Sequence, residues 1–165
     1  MLDFSIKYKE QLQQKYFEIW FKEKYKYFRY HSFESVPEIA TETWNSHDFV
    51  SIDKSGNIIG NIFYQIDRET NNAHSLGIIN FSDDIITFGK DLLKVFKDIF
   101  EKFNFNKLSF SVIMGNPAEK HYDKIISKYG GRIIGIKYKE VKLFDGKLYD
   151  KKLYEILRED YLRSK

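Results

Sequence analysis

No side chains able to ligate a metal or act as nucleophiles fall into a recognised motif in this 165-residue sequence. It contains no cysteine, which excludes disulfides, thiolate metal sites and a cysteine nucleophile. The four histidines, His31, His47, His74 and His121, form no HExxH and have no closely spaced carboxylate partner. A bound metal needs converging donors of that kind, so no metal site is expected. GxGxxG, GxxxxGK(S/T) and GxSxG are also absent, which removes dinucleotide, P-loop and hydrolase-elbow chemistry. No serine has a histidine and an acid at a recognisable spacing. Few enzyme classes survive that search.

Composition narrows the field further. Lys and Arg total 27 against 24 for Asp and Glu, giving +3 with the signs interspersed. A nucleic-acid partner leaves a basic stripe or an aromatic basic sheet motif, and neither is present. Two prolines and nine glycines argue against a linker-rich chain. No run reaches the ~18 to 20 apolar residues of a membrane span, and the start MLDFSIKYKE lacks a signal peptide's apolar segment. A cytoplasmic single domain over residues 1–165 is expected, with no membrane or nucleic-acid partner, as a monomer or homodimer. Aromatic residues make up 18%, which a coding bias or an aromatic-lined pocket would equally produce.

Periodicity supplies the elements that must position any site. Leu2, Phe4, Ile6 and Tyr8 alternate as a short strand. Lys9 to about Phe28 reads as a helix with two apolar stripes, the second being Phe17, Phe21, Tyr25 and Phe28. His31 to Asp48 is irregular, with room for one helical turn. Phe49–Asp53, Ile58–Ile66 and Ala73–Phe81 are strands joined by short polar turns, an antiparallel meander. A helix follows over 88–103, then a strand from Lys107 to Met114. The next helix starts at about Pro117, carries the stripe Ala118, Tyr122, Ile125, Ile126 and Tyr129, and closes on Gly130-Gly131. A hairpin around Asp145-Gly146 ends near Leu157. The order is β-α-βββ-α-β-α-ββ, with a βαβ unit inside an otherwise antiparallel sheet.

That order resembles the GNAT family of acyl-CoA-dependent N-acetyltransferases, and two stretches carry the likeness. Val112-Ile113-Met114-Gly115-Asn116-Pro117-Ala118, Tyr122 and Gly130-Gly131-Arg132-Ile133-Ile134-Gly135 resemble the family's strand, Asn, tyrosine-bearing helix, glycine and strand. Gly77-Ile78-Ile79-Asn80-Phe81, running into Phe88-Gly89-Lys90, is similar to the strand and turn that receive the CoA pyrophosphate. The resemblance implies an α+β (mixed α/β) fold: a mostly antiparallel sheet of about seven strands, helices on both faces, splayed between the fourth and fifth strands. It departs from the family pattern (Q/R)xxGx(G/A), against which Ile86 to Asp91 matches at Gly89. The Tyr122-to-Gly130 spacing is also longer than the family's.

The resemblance further implies acetyl-CoA as co-substrate and Asn80, Phe81, Phe88, Gly89, Lys90, Asp91 and Asn116 as its contacts. A pyrophosphate needs backbone N–H groups at a helix N-terminus with room for close approach. Gly89 would supply room and Lys90 charge, while Asp91 fits only with its side chain turned away. Asn116 reads equally as a plain Asn-Pro helix start. Tyr122 is implied as the general acid for the CoA thiolate, or else it is packing on the apolar stripe. His74 and Glu155 are the side chains weighed as the base, with a water chain as the alternative. The second aromatic stripe either lines the acceptor groove or covers the loop from His31 to Trp44, and the loop is preferred. The implied activity is acetyl transfer to a primary amine, on a small molecule or protein N-terminus, by direct attack in a ternary complex. The alternative is a catalytically weakened protein of the same fold that binds CoA or a protein partner.

Overall fold

Alternation of period two sets the strands and decides which side chains reach which face. The structure, a computed structural model, describes residues 1–28, 38–39 and 42–165. Its strands are β1 (Leu2–Phe4), β2 (Ser46–Ile52), β3 (Ile58–Asp67), β4 (Asn72–Asn80), β5 (Lys107–Ile113), β6 (Arg132–Lys142) and β7 (Leu148–Leu157). They form one sheet in the order β1-β2-β3-β4-β5-β7-β6. Every neighbouring pair is antiparallel except β4 and β5. The helices are α1 (Lys9–Ile19), α2 (Ile85–Lys97), α3 (Glu119–Lys128) and α4 (Arg158–Arg163).

Successive strand residues feed opposite cores. Val50 and Ile79 pack with Leu12, Tyr16 and Ile19 of α1. Their chain neighbours Phe49 and Ile78 belong to the larger core, with Phe88, Val95 and Phe96 of α2 and Ile126 of α3. Helices therefore cover both faces. Under α1, Tyr16 donates to Asn61 Oδ1 at 2.6 Å and Asn61 Nδ2 donates to Asp48 at 2.6 Å, satisfying polar groups that burial would otherwise penalise.

Several boundaries differ from the expected ones, each for a local reason. The first strand stops at Phe4 and a 3-10 turn over Ser5–Tyr8 follows, with buried Ser5 bonded to Asp48. α1 ends at Ile19 rather than Phe28, because Phe21 takes a left-handed φ of 58° and the chain reverses into a 3-10 turn at Glu23–Tyr25. That break lets Phe28 stack on Tyr16 at 5.5 Å and Tyr25 donate to the Phe81 carbonyl at 3.3 Å. α2 begins at Ile85, not Phe88, capped by Asp84 accepting the Thr87 N–H at 2.9 Å. A π turn over Asp98–Lys102 continues it. α3 begins at Glu119, after Pro117 rather than on it, and Gly130 (φ 66°) with Gly131 N–H on the Ile126 carbonyl closes it. α4 is an addition, held by Tyr161 stacked on Phe100 at 4.6 Å. Half of the irregular stretch expected over 31–48 lies outside the described residues, and β2 already begins at Ser46.

Two predictions follow from this packing. His47 is 6% exposed and bonds through Nδ1 to the Tyr64 hydroxyl at 2.7 Å. Burial, then Arg68 and Lys102, push its pKa down to about 4. Unfolding restores the ordinary value of ~6.5, so stability is full above that pH and falls as pH drops toward 4, by up to ~3 kcal/mol. Urea denaturation at pH 7 and pH 5 should show this loss in the parent and a smaller one in His47→Gln. An equal loss in both would place the acid sensitivity elsewhere. The other prediction concerns Gly89, the fifth residue of α2, where an added Cβ would meet no atom within 4 Å. Gly89→Ala should stabilise the unliganded protein by about 0.5–1 kcal/mol, or about 1–4 °C in Tm. A lower Tm would contradict the helical assignment.

Candidate functional site

The site originates in one irregularity of β4. Between the pairs Phe63↔Gly77 and Gln65↔His74, β3 contributes one residue and β4 two, Ser75 and Leu76. Ser75 has a left-handed φ of 55°, so this is a β-bulge, which bends the bulged strand. β4 and β5 pair only over Asn72–His74 against Lys107–Ser109. Beyond the bulge they part, while β5 stays paired with β7 as far as Ile113↔Lys151. The sheet is splayed between its fourth and fifth strands. Phe81 gives its N–H to the Ile59 carbonyl, so strand alternation turns the N–H and C=O groups of Ile78 and Asn80 away from β3 toward the gap.

A cavity lies on each side of this gap. The larger, about 670 Å³, sits between α2, α3 and the segment Lys24–Phe28, and is lined by Ile78, Asn80, Phe88, Gly89 and Ile125 among others. The smaller, about 230 Å³, is lined by Phe63, Ser75, Ser111, Val141 and Lys151 among others. Tyr27, Phe28, Ile78, Asn116 and Tyr122 line both. Serines 109 and 111 alternate with Leu108 and Phe110 of the main core, which puts the smaller cavity on the α1 face of the sheet.

Tyr122 stands at the junction. Its ring meets Phe110 edge-on at 5.7 Å, and burial pushes its phenol up to about 12, so at neutral pH it is a protonated donor. α3 is fixed beneath it by Lys152, which pairs with Glu119 at 2.7 Å and Asp123 at 3.1 Å, while Tyr154 donates to Asp123 at 2.7 Å. Asn116 accepts the Ala118 N–H on Oδ1 at 2.9 Å, so its free capacity toward a ligand is its amide NH₂. Asn80 likewise commits Oδ1 to Ser82.

The seven residues expected to contact a cofactor divide. Asn80, Phe88, Gly89 and Asn116 line the larger cavity; Phe81, Lys90 and Asp91 do not. Phe81 spends its N–H on β3 and its carbonyl on Tyr25. Lys90 is exposed, and Asp91 turns away to accept the Ser51 hydroxyl at 2.7 Å and pair with the Met1 ammonium at 3.4 Å. Because α2 starts three residues earlier than expected, the Gly89 N–H lies within the helix and bonds back toward Ile85. The helix N-terminus itself carries Asp83 and the cap Asp84, and Lys24 pairs with Asp83 at 2.9 Å.

Neither residue weighed as a base reaches the cavities. His74 bonds the Ser75 hydroxyl at 2.9 Å, and Glu155 holds Arg132 at 2.7 Å. Of the second aromatic stripe, Tyr25 and Phe28 line the larger cavity, whereas Phe17 and Phe21 are exposed and stack around Trp20. The contact preferred for that stripe, with the loop after His31, falls mostly outside the described residues. Lys24, Lys124 and His121 line the larger cavity without any motif to mark them. Ser75 could be found only through its bulge, which no glycine announces.

No protein-family model matches the sequence, and no curated protein matches it. Solved structures do. A spermidine N-acetyltransferase from Vibrio cholerae in complex with CoA and spermine superposes with a TM-score of 0.72 at 20% identity, covering 98% of this chain and 97% of that one. A spermidine/spermine N-acetyltransferase from Vibrio cholerae in complex with manganese ions gives 0.61 at 23% identity, covering 74% and 71%. The sheet order, the parallel β4–β5 pair and the splay after it are those of this group, and the chain has the GNAT fold.

Proposed function

We propose that the protein is an N-acetyltransferase that moves acetyl from acetyl-CoA to a primary amine by direct attack in a ternary complex. The observation that carries this reading is the pair of cavities on opposite faces of the sheet, meeting at Tyr122 and Asn116 across the β4–β5 gap. Two substrates can approach each other only through such an opening. The similar structures supply the reaction class, since they are acetyltransferases of amines and one holds CoA.

In this reading the acyl-CoA arm occupies the larger cavity. Its amides pair with the open backbone edge at Ile78 and Asn80, and its apolar stretches lie against Phe88 and Ile125. The amine attacks the thioester carbonyl from the smaller cavity, the C–S bond breaks, and the electron pair leaves on sulfur. A phenol near 12 facing a thiol of ordinary pKa ~8.5 gives up its proton uphill. Tyr122 therefore supports the departing thiolate by a hydrogen bond, and solvent completes the protonation. Lys124 lines the larger cavity as a cation for the pyrophosphate, and Lys24 becomes a second only on leaving Asp83.

One observation favours a second reading. Asp83 and Asp84 occupy the α2 N-terminus, where an anion would otherwise find unpartnered N–H groups and a favourable dipole. A protein of this fold that binds a partner without acetyl transfer would be expected to lose that site.

Calorimetry with acetyl-CoA separates the two. The enzyme reading expects binding, weakened by Gly89→Asp, whose carboxylate would enter the larger cavity. No heat and no thermal stabilisation at millimolar acetyl-CoA would overturn it. Tyr122→Phe should lower kcat by about 10²-fold while leaving acetyl-CoA affinity nearly unchanged, because the ring and its packing on Phe110 remain. An unchanged kcat in a variant that melts like the parent would assign Tyr122 to packing.

A further inference from the structure

The walls of the larger cavity decide which part of a thioester donor can be read, given the acetyltransferase reading above. The corner between β4 and α2 spends its own N–H groups. Ser82 donates to Asn80 Oδ1 at 2.9 Å, Asp84 to the Ser82 hydroxyl at 3.1 Å and Ile85 to the Asp83 carbonyl at 2.9 Å. Thr87 donates to the Asp84 carboxylate at 2.9 Å, and Phe88 to the Asp84 carbonyl at 3.3 Å. The Thr87 N–H and hydroxyl, with the Ile86 N–H, hold the Asp84 carboxyl below the usual carboxylate range, so it is ionised at neutral pH. The helix end that would attract a phosphate therefore already holds an anion.

Asp83 adds a second carboxylate at that end, and Lys24 is taken up in neutralising it. Lys124 and His121 reach the cavity from α3, and both are exposed. A charge contact so open to water changes affinity by about fivefold at most. The rest of the wall is of another kind. Ile78, Phe88, Leu92 and Ile125 make it apolar, and exposed Ile85 and Leu93 extend it to the surface. We infer that the protein recognises its donor by the pantetheine arm, and that the nucleotide end of CoA adds little. The arm's amides suit the open β4 edge, and its methylene and gem-dimethyl groups suit the apolar wall. The volume agrees, since about 670 Å³ lies within the ~300–1,000 Å³ of pockets that hold ligands of that size.

The donor class is then acyl-pantetheine thioesters, whether or not the arm ends in a nucleotide. The reaction is the same for each. The amine nitrogen bonds to the acyl carbon, the C–S bond breaks with its electron pair going to sulfur, and the amine's proton passes through solvent to the thiolate. No phosphate takes part in that step. The acidic corner is thereby accounted for without giving up acetyl transfer.

The test titrates the whole chain by calorimetry with acetyl-CoA, S-acetylpantetheine and ADP. The expected result is a Kd for S-acetylpantetheine within about tenfold of that for acetyl-CoA, and no heat from ADP at millimolar concentration. Asp83→Asn removes the exposed carboxylate and releases Lys24, which gives the nucleotide end a partner. The ratio of the two donor affinities should then move toward acetyl-CoA by about two- to fivefold. Loosening of the segment Lys24–Phe28 acts on both donors and cancels in that ratio. Asp84→Asn keeps the cap oxygen and should move the ratio the same way. Acetyl-CoA binding more than about tenfold tighter than S-acetylpantetheine would overturn the inference. So would ADP binding, or a ratio that either variant leaves unchanged. Those failures leave the acetyltransferase reading in place, because acetyl-CoA still binds, whereas absence of binding by both thioesters removes the inference and the reading beneath it.

Discussion

The two-residue bulge at Ser75 and Leu76 is the constraint on which the site depends. Without it, β4 would remain paired with β5 along its length, and the backbone groups of Ile78 and Asn80 would be spent on a neighbouring strand. With it, the parallel pairing ends after His74, and the open edge of one strand becomes part of a cavity wall. A non-glycine residue held at a φ of 55° is strained. The surrounding pairing outweighs that cost, since β3 pairs with β4 on both sides of the bulge, with the register shifted by one residue.

From that parting the rest is placed. α2 and α3 cover one side of the opening, and the segment after α1 crosses its end. The residues shared by the two cavities are those on or beside the gap: Ile78 from β4, and Asn116 and Tyr122 from the turn and helix after β5. α3 cannot drift, because Lys152 ties two of its carboxylates to the sheet. The phenol at the junction therefore sits in a fixed place between two compartments that differ in size.

The architecture was legible because its signals are redundant. Leu108, Phe110 and Val112 alternate, the α2 stripe repeats at helical spacing, and Gly130-Gly131 marks a helix end. Each called its element independently, and the order of elements carried the fold. The site was less legible for reasons tied to particular residues. Asp84 is a helix cap, and Ser82-Asp83-Asp84 is a start signal that places α2 at Ile85, yet the apolar stripe, which opens at Phe88, set the expected start there. That shift of one turn carried Gly89 into the helix interior and turned Asp91 toward Ser51. α1 read as continuous to Phe28 because no glycine or proline interrupts it, and Phe21 nevertheless adopts the left-handed conformation.

The segment that crosses the larger cavity is fastened to the β4–α2 corner at two points, Lys24 on Asp83 and the Tyr25 hydroxyl on the Phe81 carbonyl. Lys24 is 57% and Asp83 98% exposed, and an ion pair so open to water contributes about 0–1 kcal/mol and is screened by salt. The roof is thus closed by a clasp that thermal motion undoes readily. A long, flexible molecule need not thread lengthwise beneath it but can be laid in from the side. Its residence is then governed by its own contacts along β4, and the ionic strength of the medium becomes a control on how often the roof lifts.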